Sequence, residues 1–73
     1  MKKEWTGIER EWIFDHGFRI DEEGLILIPR SKWNRLQWTD TSLRNPSLKT
    51  LMIPSDFGSC LLTEGQHFRI IGG

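Results

Sequence analysis

Trp5, Ile8 and Trp12 recur at intervals of three and four residues, the spacing that aligns side chains along one side of a helix. Thr6-Gly7-Ile8-Glu9 fits a capping box, in which the threonine oxygen accepts a backbone N–H and the glutamate reaches back to the cap. With Gly17 as the stop, the pattern predicts a helix over Gly7–His16. Phe18-Arg19-Ile20 and Leu25-Ile26-Leu27-Ile28 then flank the polar turn Asp21-Glu22-Glu23-Gly24, which reads as a hairpin. Its second strand is apolar at every position, so it demands cover on both faces, from this chain or from a second protomer.

Pro29 closes that strand. Ser31 is placed to cap a short helix over Lys32–Trp38, with Trp33 and Leu36 on its inward side. Thr39 to Leu48, rich in Thr, Ser, Asn and Pro, reads as an irregular connection, and Leu51-Met52-Ile53 as a strand stopped by Pro54. Ser59–Thr63 and His67–Ile71, around Glu64-Gly65-Gln66, predict a second hairpin pairing Cys60 with Ile70 and Leu62 with Phe68. Those four face the core, while Leu61, Thr63, His67 and Arg69 look outward. The expected fold is α+β: a small single domain, residues 1–73, with an N-terminal helix, two β-hairpins and a short middle helix.

A 73-residue chain buries only about 60% of the surface its unfolded form exposes, so its stability is expected to be marginal. One cysteine allows no internal disulfide, and with two histidines it falls short of a closed zinc site. Four tryptophans and four phenylalanines must therefore provide the packing, or association with another chain must. No apolar run approaches the roughly 20 residues of a transmembrane helix, and the start MKKEWTGIEREW lacks a signal-like apolar stretch, so the chain reads as cytoplasmic with no membrane partner.

Basic and acidic residues balance overall but not locally. Met1 to Ile28 carries four basic and seven acidic residues, whereas from Pro29 to Ile53 Arg30, Lys32, Arg35, Arg44 and Lys49 face only Asp40. This basic middle should steer an anionic partner, and Arg30, Lys32, Arg35 and Trp38 are the expected partner or nucleic-acid contacts, Trp38 as a hot-spot aromatic at the helix end.

Catalytic readings fare poorly. A Cys60–His67 nucleophile and base, oriented by Asp56, requires two side chains that the expected register puts on opposite faces. Asp15, His16, Asp21, Glu22 and Glu23 offer metal-ligand or acid–base chemistry, but the last three read as a solvated turn, where carboxylates keep ordinary pKa values. The glycines form neither a phosphate-binding loop nor a dinucleotide fingerprint. No catalytic residue, cofactor, metal or small-molecule substrate is expected.

Phe18 to Leu43, FRIDEEGLILIPRSKWNRLQWTDTSL, resembles the swapped-hairpin fold of AbrB-type regulators and MazE-type antitoxins. Asp21, Gly24, Ile26, Ile28, Pro29, Leu36, Trp38 and Leu43 occupy the places of that family's strand, acidic turn, Ile-Pro and short helix. The resemblance implies a homodimer of interlocked hairpins that binds DNA through basic side chains. Leu25 stands where the family commonly has arginine, and Trp33 and Asn34 where its helix is often basic, leaving Arg30, Lys32 and Arg35.

A second reading is an inhibitor or adaptor, of the kind phages and other mobile elements encode, that blocks a host protein by docking on an acidic groove. A third rests on the terminal Gly72-Gly73, the ending used by ubiquitin-like sulfur carriers and modifiers.

Overall fold

A computed structural model describes residues 3–36, 43–45 and 49–72. Trp38, most of the Thr39–Leu48 connection and Gly73 lie outside the described residues.

The first helix, α1 (Gly7–Asp15), begins with the expected capping box: the Glu9 N–H donates to Thr6 Oγ1 at 3.3 Å and the Thr6 N–H to Glu9 Oε1 at 2.9 Å. Its inward side is Glu9, Trp12 and Ile13, not the expected line through Ile8, which is 46% exposed. Trp5 precedes an extended Thr6 and so leaves the helical wheel. The helix is instead oriented by Glu9 against Ser55 and by the Ile8 N–H donating to Asp56 Oδ1 at 2.9 Å.

Strands β1 (Arg19–Ile20) and β2 (Ile26–Pro29) form the expected antiparallel hairpin. Asp21 organises its turn: Oδ1 accepts the Glu23 and Leu25 N–H groups, and the Asp21 carbonyl accepts the Gly24 N–H. Gly24 has φ +84°, and a Cβ there would lie 2.6 Å from the backbone nitrogen of Lys3. The Trp5 indole N–H donates to the Gly24 carbonyl at 2.8 Å, clamping the N-terminal segment to the turn.

Helix α2 (Arg30–Leu36) follows β2 directly, two residues earlier than expected. Pro29 is still strand, paired with Ile71, and Arg30 is the first helical residue, so Ser31 lies within the helix rather than capping it. Trp33 and Leu36 are buried as expected, the Trp33 ring 5.4 Å from that of Phe68.

The remaining strands, β3 (Leu43–Asn45), β4 (Thr50–Ser55), β5 (Gly58–Thr63) and β6 (Phe68–Ile71), correct three expectations. Leu43–Asn45 is strand, antiparallel to Thr50–Met52 of β4, not irregular chain. Pro54 does not stop β4, which continues to Ser55; among the described residues β3 reaches only as far as Met52, so Pro54's missing N–H falls on an edge. The second hairpin is β4–β5, turning at Asp56-Phe57, and the expected Cys60–Ile70 and Leu62–Phe68 pairs do not form. Instead Leu62 pairs with Leu51 and Cys60 with Ile53. At Thr63 the chain wraps on itself, the Thr63 carbonyl accepting the Gln66 and His67 N–H groups, and this redirects β6 out of the sheet.

β6 then runs parallel beside β2, Ile26 opposite Phe68 and Ile28 opposite Ile70. The described residues thus form two three-stranded sheets, β1-β2-β6 and β3-β4-β5. Parallel neighbours need a long crossover, which α2 through β5 supplies. Fully buried Ile26, Ile28 and Phe68 from the first sheet join Leu51, Ile53 and Leu62 from the second and Ile13 from α1 in one contiguous core. The expected inward set is right despite the changed partners: Leu62 and Phe68 are buried, and Cys60 and Ile70 pack against the core. Cover on both faces of β2 is not found among the described residues. Leu25 and Leu27 remain half-exposed on the outer face.

Candidate basic cleft beside the second helix

The basic residues of α2 do not form one uniform face. Lys32 is half-buried, and its Nζ donates to the His16 carbonyl at 3.4 Å and the Gly17 carbonyl at 3.3 Å. Those carbonyls close α1, where the helix dipole favours a cation, so Lys32 also serves as a C-terminal cap between the helices. Arg30 and Arg35 are exposed, and the Arg30 Nε–H donates to the Gly72 carbonyl at 3.4 Å.

Lys32 and Arg35 line a cavity of about 280 Å³ whose other walls are His16, Phe18 and Leu36. α1 positions its aromatic wall: the His16 Nδ1–H donates to the Trp12 carbonyl at 2.8 Å, and the ring stacks on Trp12 at 4.0 Å between centroids. Phe18 lies 5.8 Å from the His16 ring centroid. The Trp12 indole N–H is buried without an acceptor among the described residues. The arrangement presents two cations over an apolar and aromatic surface, suited to holding an anionic group attached to an apolar body. Of the expected contacts, Lys32 and Arg35 share this cavity; Arg30 lies outside its lining, and Trp38 is outside the described residues.

The Cys60–His67 pair has different partners. Cys60 is half-buried, and its thiol is pushed above the ordinary range by burial and then by the nearby Glu9 charge, which keeps it protonated. His67 does not look freely outward as expected: it is half-buried, and its Nδ1 accepts the Thr63 N–H at 3.0 Å as part of the turn before β6. Burial, then the Lys3 charge, lowers its pKa and favours the neutral ring. Asp56, the third residue of that reading, accepts the Ile8 N–H. Asp21 is used by its own turn, and among the described residues no cluster of three or more His, Cys, Asp or Glu is placed to hold a metal.

Glu9 is 2% exposed. Burial alone would raise its pKa, but hydrogen bonds from the Ser55 side chain and the Thr6 backbone, with the Lys3 charge, outweigh it and hold the carboxyl below its ordinary value of 4.5. A depressed folded-state pKa means that the ionised group stabilises the fold fully above that ordinary value, and this contribution is lost as pH falls through the lower folded value. Glu9→Gln keeps a capping acceptor but removes the charge. In thermal melts the variant should be less stable than the parent at neutral pH, and the gap should close as pH falls below the ordinary value of 4.5 and through the lower folded one; a gap independent of pH would show that the charge is not what stabilises.

Sequence reasoning turned Leu61 outward but missed the other exposed apolar side chains. Phe57, at the tip of the β4–β5 turn, is 86% exposed; Leu61 is 57%, Phe14 53% and Ile71 40% exposed. The available signal was Phe57 itself, an apolar residue inside the turn sequence Ser55-Asp56-Phe57-Gly58. No helix among the described residues is long and apolar enough to cross a membrane. Comparison of the chain with protein-family models, with curated proteins and with solved structures found no match.

Proposed function

We propose that the chain is a small non-catalytic binding protein, an inhibitor or adaptor, that docks an acidic protein surface on the α2 side, with Arg30, Lys32 and Arg35 as its cations. The cavity walled by Lys32 and Arg35 over Phe18 and Leu36 carries this reading. An apolar wall next to two cations complements a carboxylate-bearing peptide better than a bare phosphate backbone. Lys32 is also partly committed to the end of α1, which reduces the charge available for counterion release from a duplex.

The second reading, an AbrB-like or MazE-like DNA-binding dimer, draws on the β1–β2 hairpin with its acidic turn leading through Pro29 into a helix that carries Arg30 and Arg35. The two readings separate by titration with an acidic peptide containing leucine or phenylalanine and, in parallel, with random-sequence duplex DNA over a salt series. The protein-docking reading expects binding of the peptide, weakened roughly tenfold or more by Arg30→Glu with Arg35→Glu, and weak DNA binding. Tight DNA binding that falls steeply with salt would replace it with the DNA reading. Lys32 is left unchanged, because glutamate there would face the α1 carbonyls and confound binding with stability.

A further inference from the structure

The outer face of the first sheet is basic and apolar. Because directly opposed residues share a face, Leu27 lies between Arg19 and Arg69, and Pro29 beside Ile71. Both arginines are exposed, and Gly17, Arg19, Leu27, Pro29 and Ile71 line a cavity of about 340 Å³ on this surface. An apolar sheet face is ordinarily covered by a helix or another sheet.

The outward side of α1 has the opposite charge and the same apolar character. Glu9, Trp12 and Ile13 face the core, so Ile8, Arg10, Glu11, Phe14 and Asp15 face away from it, with the two apolar side chains about half exposed; the Arg10 Nε–H is turned back to the Trp5 carbonyl at 3.3 Å, which leaves Glu11 and Asp15 as the charges beside them. Half-exposed isoleucine and phenylalanine between carboxylates is the chemistry that a surface of leucine, proline and isoleucine between arginines accepts. The sizes agree as well. A nine-residue helix is about 14 Å long, and the four-residue strands β2 and β6 are each about 13 Å long.

We propose that the outer face of β1-β2-β6 is the docking site for the outward side of α1 of a second copy of this chain. Each copy carries both halves of the contact, leucine, isoleucine and phenylalanine losing water at its centre while Arg19 and Arg69 meet Glu11 and Asp15 at its edge. This self-association uses neither the α2 cations nor the cavity behind them, so it stands or falls separately from the function proposed above.

Sedimentation velocity of the whole chain at low and high salt tests it. The parent should self-associate at micromolar concentration at low salt and dissociate as salt rises, because exposed ion pairs are screened. Arg19→Glu with Arg69→Glu, and separately Glu11→Arg with Asp15→Arg, should each raise the dissociation constant about 100-fold, since like charges then meet. Mixing the two variants should restore association between them, the intact helix side of the first meeting the intact sheet face of the second. Thermal melts establish that both variants remain folded. A monomeric parent, association unmoved by either reversal, or a mixture that fails to associate would overturn the proposal.

Discussion

Replacing Phe68 with alanine should remove most of the protein's stability at room temperature. Phe68 is fully buried, opposes Ile26 across the parallel β2–β6 pair, and its ring lies 5.4 Å from that of Trp33. Truncation of a buried phenylalanine costs about 3–5 kcal/mol, the lost transfer energy plus that of the cavity left behind. A domain of this size has a total stability on the order of 5 kcal/mol, so one such loss consumes most of it. Chemical denaturation of the parent beside Phe68→Ala and Phe68→Leu provides the check. The leucine variant should retain a cooperative transition, and a loss under about 1 kcal/mol for alanine would mean that β6 is not packed into the core as described.

Gly24→Ala is expected to have the next largest effect, at least about 2 kcal/mol. An L-residue at positive φ costs about 1–2 kcal/mol by itself, and here the new methyl would meet the backbone nitrogen and carbonyl oxygen of Lys3 at 2.6 and 2.8 Å. Backbone atoms cannot swing aside as the end of a side chain can. The segment bearing Lys3 would have to lift, taking with it the Trp5 bond to the Gly24 carbonyl. Gly65→Ala is the control: Gly65 also has positive φ, but nothing lies within 4 Å of its missing Cβ. The two midpoints should therefore differ, and equal losses would show that backbone conformation alone sets the cost.

What could be read from the sequence followed the range of the interaction. The capping box and the Asp21–Gly24 turn depend on residues within four positions of one another, and both form as expected. The inward set Cys60, Leu62, Phe68 and Ile70 was legible for a related reason. Alternation along a strand tells which side chains face the core without telling which strand lies alongside. That missing information produced the wrong hairpin, since Phe68-Arg69-Ile70-Ile71 alternates equally well beside β5 or beside β2. What favours β2 is its fully buried Ile26 and Ile28, far away in the chain. The cleft shows the same division. The concentration of cations between Pro29 and Ile53 is a property of composition, but the contact of Lys32 with the closing carbonyls of α1 depends on how two helices meet.

The parallel pairing of β2 with β6 also sets the order in which the structure can be completed. The β1–β2 and β4–β5 hairpins close over short loops and can form while the chain is still being synthesised, whereas the β1-β2-β6 sheet must wait for Phe68–Ile71. Until then Ile26 and Ile28 sit on a strand with one edge open and most of its apolar surface wet, the condition in which a nascent strand pairs with the wrong neighbour. Refolding should accordingly be limited by one late, long-range docking step, slower than either hairpin, because the entropy of closing the long loop is lost before the β2–β6 contacts form.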